Sequence, residues 1–135
     1  MAYKNILVGL CGRGDENIVI KAAMEFSDGG HITFMHVNDI HAGEMSMMMD
    51  APAPKFDELD VYGWISLVDE AVAKSSIISI VTSESIPNAI SQASQGMDLL
   101  ILGHRKQSFF KKNFFDSVDE GIVNKASCPV LVVPK

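Results

Sequence analysis

The residues best placed to do chemistry lie between Gly103 and Ser117. Arg105, Lys106, Lys111 and Lys112 are four bases in a stretch, His104 to Asn113, that holds no acid. An apolar run over 97–102 precedes it, and another over 129–133 follows a helix pattern. Apolar run, glycine, basic loop, helix and second apolar run form a frame for a phosphate, because glycine admits close backbone approach and a helix start favours negative charge.

A second group, Cys11-Gly12-Arg13-Gly14-Asp15, follows the apolar run 4–10. Cys11 beside Arg13 is a candidate reactive thiol. Gly12-x-Gly14 is followed by Asn17 where a dinucleotide fingerprint needs a third glycine, so that function is not expected. His36, His41 and the methionines 45 and 47–49 offer soft-metal ligands, although methionines also serve as gap-fillers or interface residues. Phe109, Phe110, Phe114 and Phe115 among the bases suit single-stranded nucleic acid, or the anchoring of a loop. Anchoring is favoured, because the chain's net charge is -6 and its pI about 5.0, which disfavour nucleic acid and anionic membrane as partners. His104 has no evident nucleophile or metal partner, so the chain is not expected to be an enzyme.

At 135 residues with 47% hydrophobic content, one domain over 1–135 and one core are expected. No apolar segment reaches the roughly 18 to 20 residues that span a bilayer, and Met1-Ala2-Tyr3-Lys4 lacks a signal peptide's apolar region. A cytoplasmic protein with two free thiols, Cys11 and Cys128, is the expectation.

Strands are predicted over 4–10, 31–37, 77–81, 97–102 and 130–133. Four helices alternate with them. The first, capped by Asp15, presents Val19, Ala22, Ala23 and Phe26 and stops at Asp28-Gly29-Gly30. The second runs long from Asp57 with Val61, Trp64, Leu67, Val68, Ala71 and Val72 on one face. The third starts at Ser85-Ile86-Pro87 and buries Ile86, Ala89, Ile90 and Ala93; the fourth presents Phe115, Val118, Ile122 and Ala126. Residues 38–55 read as a long surface connection. The alternation predicts a doubly wound α/β sheet of five parallel strands in the order 3-2-1-4-5. Its winding reverses between strands 1 and 4, so a ligand crevice should form where Cys11–Asp15 meets Gly103–Ser117.

Asp98-Leu99-Leu100-Ile101-Leu102-Gly103, Ser117-Val118 and Cys128-Pro129-Val130-Leu131-Val132-Val133, with support from Asn5-Ile6-Leu7-Val8 and His36-Val37, resemble the universal stress protein family over essentially the whole chain. The resemblance implies a flavodoxin-like, adenine-nucleotide-hydrolase-like three-layer sandwich. It also implies a homodimer formed through the last strand, here Val130, Leu131, Val132 and Val133.

ATP-binding members of that family carry Gly-x-x-Gly, nine residues, then Gly-Ser or Gly-Thr, and an acid just after strand 1. Here Gly103 matches the first glycine, Lys106 replaces the second, Asp116-Ser117 replaces Gly-Ser, and Cys11 stands for the acid ahead of Gly12. The crevice residues implied are Cys11, Gly12, Val37, Gly103, Lys106, Asp116 and Ser117. Asp116 sets a carboxylate where a phosphate would dock. The expectation is therefore a stress-response protein acting as a dimeric binding or regulatory module for a protein partner, with no cofactor, no bound metal and no strong ATP binding. Its alternatives are an ATP- or AMP-binding member or slow ATPase using Lys106 and Ser117, and a metal or thiol-redox sensor using Cys11 and the Met/His loop.

Overall fold

The computed structural model describes residues 3–12, 14–41, 54–103 and 117–134. Five strands, β1 (Asn5–Gly9), β2 (His31–Asp39), β3 (Ile77–Ser83), β4 (Leu99–Gly103) and β5 (Val130–Val133), form one parallel sheet in the order β3-β2-β1-β4-β5. The helices are α1 (Glu16–Ser27), α2 (Glu58–Val68), α3 (Glu70–Ser75), α4 (Ile86–Ala93) and α5 (Ser117–Lys125). The predicted fold class and strand order are both observed.

Side chains alternate across a strand, so each strand feeds two cores. Ile6, Val8, Ile32, Phe34, Leu99 and Ile101 pack with Val19, Ile20 and Ala23 of α1, Val61 and Ile65 of α2 and Ala73 of α3. On the other face Leu7, Met35, Val37, Leu100 and Leu102 meet Ala89 and Ile90 of α4 and Ile122 of α5. Burial on both faces is why β1 and β4 are nearly continuous apolar runs. Asp98, the polar interruption ahead of β4, accepts hydrogen bonds from the backbone amides of Lys4 (3.2 Å) and Asn5 (2.8 Å) and so ties the amino ends of β4 and β1 together.

The long second helix is instead two. The Asp69 backbone is extended (φ -160°, ψ 114°), its amide closes α2 on the Ile65 carbonyl, and its carboxylate accepts from the Val72 amide to start α3. A side chain that caps a new helix competes with continuing the old one. The buried face of α2 is Val61 and Ile65, while Leu67, assigned inward by periodicity, is 88% exposed and Ala71 is exposed too. At the start of α2, Asp57 and Asp60 form a reciprocal capping box.

α1 ends as expected, with Asp28 (φ 39°) and Gly29 (φ 84°) in left-handed conformations, although Phe26 is 38% exposed. Ile122 of the fourth predicted helix is buried and Ala126 packs beside it. Phe115 falls outside the described residues, as does the Val118 side chain.

Candidate functional site

The carboxyl ends of β1 and β4 lie side by side, Gly9 opposite Leu102. The turn after β1 and the end of β4 therefore meet at the sheet's topological switch, as the strand order requires. They meet at Asp15 and Gly103. A Cβ placed on Gly103 would overlap the Asp15 Oδ2 atom, and it would lie 3.0 Å from Asp15 Cγ and 3.1 Å from Val19 Cγ2. Gly103 is glycine because the Asp15 carboxylate occupies the space beside it.

The expectation that Asp15 caps α1 is corrected by this placement. Asp15 occupies the N-cap position, yet its side chain makes no capping bond, and the residue is only 5% exposed. Its carboxylate has no hydrogen-bonding or ion-pairing partner among the described residues, while its backbone carbonyl accepts from the Val19 amide (3.3 Å). The positive end of the α1 dipole favours a charge of this sign there. ATP-binding members of the family that the sequence resembles carry an acid at the position held here by Cys11; this chain has an acid four residues later.

The second glycine of the crevice is also fitted to a side chain of the protein itself. Gly12 has φ 73°, and a Cβ on it would collide with the Phe56 ring, 2.8 Å from Cζ and 3.1 Å from Cδ2. Phe56 precedes α2 and stands edge-on to Trp64 (centroids 4.9 Å apart) and to His36 (5.3 Å). Asn38, 2% exposed, fixes the Phe56 backbone from both sides, donating Nδ2 to its carbonyl (2.8 Å) and accepting its amide at Oδ1 (3.0 Å). Neither Asn38 nor Phe56 carries a motif that marks it in the sequence.

Cys11 is exposed at the crevice mouth. Val37 is buried at the end of β2, where its side chain belongs to the core under α4 and α5. Lys106 and Asp116 lie outside the described residues, as do His104, Arg105, Lys111, Lys112, the phenylalanines 109, 110 and 114, and Met45–Met49; for Ser117 the structure gives only its place at the start of α5. Beside the crevice, a cavity of about 460 Å³ between α1 and α2 is lined by Glu16, Asn17, Lys21, Trp64 and Leu67, among others.

His36 is a buried core histidine and His41 is exposed. Among the described residues no group of three or more His, Cys, Asp or Glu is placed to hold a metal. Cys128 lies beyond α5 ahead of β5; burial, and next the charge of Asp98, push its thiol above the ordinary range. It is a free thiol. No described helix is long and apolar enough to cross a membrane.

A model of the universal stress protein family matches residues 2–134. The chain belongs to the universal stress protein family. The family resemblance drawn from the C-terminal segments is thereby borne out.

Solved universal stress proteins share the fold. One from Archaeoglobus fulgidus is 19% identical with a TM-score of 0.69, covering 98% of this chain and 95% of its own. UspA from Lactobacillus plantarum is 17% identical with a TM-score of 0.69, covering 98% and 99%. A universal stress protein solved in complex with cAMP is 15% identical with a TM-score of 0.64, covering 98% of each chain. Curated protein sequences yield no match.

Proposed function

We propose that this universal stress protein acts in the cytoplasm as a dimeric, non-catalytic binding or regulatory module that does not hold ATP strongly. The observation that carries the reading is the Asp15 carboxylate, buried against Gly103 at the first glycine of the family's phosphate motif. Two unit charges of like sign about 4 Å apart repel by roughly 4 kcal/mol near a protein surface, enough to offset much of what a phosphate would gain from the helix start. Asp116 adds a second acid at the motif's other end.

Titration calorimetry with Mg-ATP tests this. The intact chain is expected to bind more weakly than about 1 μM, and a tighter constant, about -8 kcal/mol or better, overturns the reading. Asp15→Asn in the same titration is expected to tighten binding about tenfold or more, because it removes the charge and keeps the shape.

Nucleotide binding through Lys106 and Ser117 is the second reading. It draws on solved relatives described as complexes with cAMP and, for an Archaeoglobus fulgidus protein, with dAMP. Equal affinity for Mg-ATP in the intact chain and Asp15→Asn, at micromolar strength, would favour it.

The support for a dimer is the edge strand β5, whose Val130, Leu131, Val132 and Val133 are all half-buried in one protomer. An apolar edge left open invites pairing with another chain, and a two-fold mate closes it. Light scattering is expected to give twice the mass of 14.7 kDa at micromolar concentration. Val132→Lys should shift the population toward the single-chain mass, and a monomeric parent chain contradicts the proposal.

A further inference from the structure

We propose that His36 is held in the fold as a doubly protonated imidazolium, and that its second proton latches Phe56 onto the Gly12 turn. The mouth of the crevice then loosens as pH rises. The inference rests on four groups whose roles leave little freedom. His36 is 6% exposed; Nδ1 lies 2.7 Å from the Leu10 carbonyl oxygen and Nε2 lies 3.0 Å from Asn38 Oδ1. A backbone carbonyl only accepts. The Asn38 amide could in principle turn its nitrogen toward the ring, but the Phe56 backbone prevents it. Turning would set NH2 against the Phe56 N–H and oxygen against the Phe56 carbonyl, exchanging two hydrogen bonds for two repulsions. Both ring nitrogens therefore face acceptors.

Neutral imidazole has one N–H and one lone pair, so it serves only one of these acceptors. With two N–H groups the ring serves both, and Asn38 Oδ1 then accepts from His36 and from Phe56 together. Loss of one proton has two outcomes. Either the contact with Leu10 at the end of β1 turns repulsive, or Asn38 rotates to offer its NH2 to the ring and releases Phe56. Both detach the end of β1 and the Gly12 turn from the segment that leads into α2.

The charged and titratable groups on the elements packed against the ring do not supply a competing partner. Of these, Asp39 on β2 accepts from the His41 amide (2.8 Å). Asp57 and Asp60 at the start of α2 bond each other's backbone amides (2.9 Å each). Asp15, ahead of α1, lies at Gly103. Cys11 follows Leu10 and is exposed, Glu16 accepts from the Gly14 amide, Tyr62 on α2 is half-buried, and β3 carries no titratable residue. The ring's remaining surroundings are the edges of Phe56 and Trp64, the latter 6.2 Å away.

Two measurements on the full-length chain test the latch. Long-range proton–nitrogen spectra are expected to show both His36 ring nitrogens protonated at pH 5.5. Hydrogen exchange of the Phe56 amide, corrected for the intrinsic rate and referenced to Val8 in β1, is expected to lose about tenfold or more of its protection by pH 8.5, the worth of one charge-assisted hydrogen bond. Trp64, the chain's one tryptophan, supplies an optical readout. Its emission should change in one step between about pH 5.5 and pH 8.5, retained in His31→Gln and His41→Gln and lost in His36→Gln. If His36→Gln does not fold, the exchange and ring spectra of the unaltered chain decide. A singly protonated ring at pH 5.5, or Phe56 protection that stays flat across the range, overturns the proposal.

Discussion

Gly12→Ala is expected to remove about 2 to 4 kcal/mol of folding stability, in two separable parts. The first is conformational: at φ 73° an L side chain brings its Cβ against the following carbonyl, at roughly 1 to 2 kcal/mol. The second is steric, since the new methyl would enter the Phe56 ring, and overpacking a well-filled site costs about 1 to 3 kcal/mol. The ring has little room to yield. It is wedged edge-on to Trp64 and His36, and its backbone is bonded at both N–H and C=O by Asn38. In a Phe56→Ala background only the conformational part should persist, so that Gly12→Ala there costs about 1 to 2 kcal/mol. Urea denaturation of the four chains checks this. A Gly12→Ala chain within about 0.5 kcal/mol of the parent, or an equal loss with and without the Phe56 ring, would show that the contact is not tight.

The result bears on why a glycine that looks like a ligand-binding residue is there. Family spacing marks Gly12 and Gly103 as crevice residues, Gly103 as a place where backbone should approach a phosphate. In the structure each glycine makes room for a side chain of the protein, Phe56 in one case and Asp15 in the other. A motif records that a position must be small; it does not record what comes close to it.

The same distinction separates what could be read in the chain from what could not. Strands buried on both faces announce themselves as apolar runs, and their alternation with helices leaves few sheet orders, so the fold was legible. The break at Asp69 was not, because an acid on an amphipathic helix is unexceptional until its carboxylate is seen to take the Val72 amide. Leu67 and Ile65 were exchanged for a different reason: positions two apart lie on nearly opposite faces of a helix, both are apolar here, and packing against α1 and β3 decides which is buried. Asp15 carried a true local signal, that of a residue preceding a helix. Its side chain answers instead to Gly103, a contact distant in sequence that no local pattern encodes.

That contact gives the second large effect. Gly103→Ala is expected to cost about 2 to 3 kcal/mol, although Gly103, unlike Gly12, shows no positive φ to make an alanine intrinsically strained. The whole loss should arise from driving the Asp15 carboxylate out of the space that the methyl claims, with a smaller contribution from Val19. Asp15→Ala should therefore rescue it, leaving Gly103→Ala at less than about 1 kcal/mol in that background and giving a coupling of at least about 1 kcal/mol between the two sites. Denaturation of the four chains supplies the cycle. Additive losses would mean that Asp15 does not rest on Gly103, and the electrostatic case against strong ATP binding would lose its footing. A strong coupling would instead tie the two findings together, because the acid that requires glycine at 103 is the same acid that repels a phosphate from it.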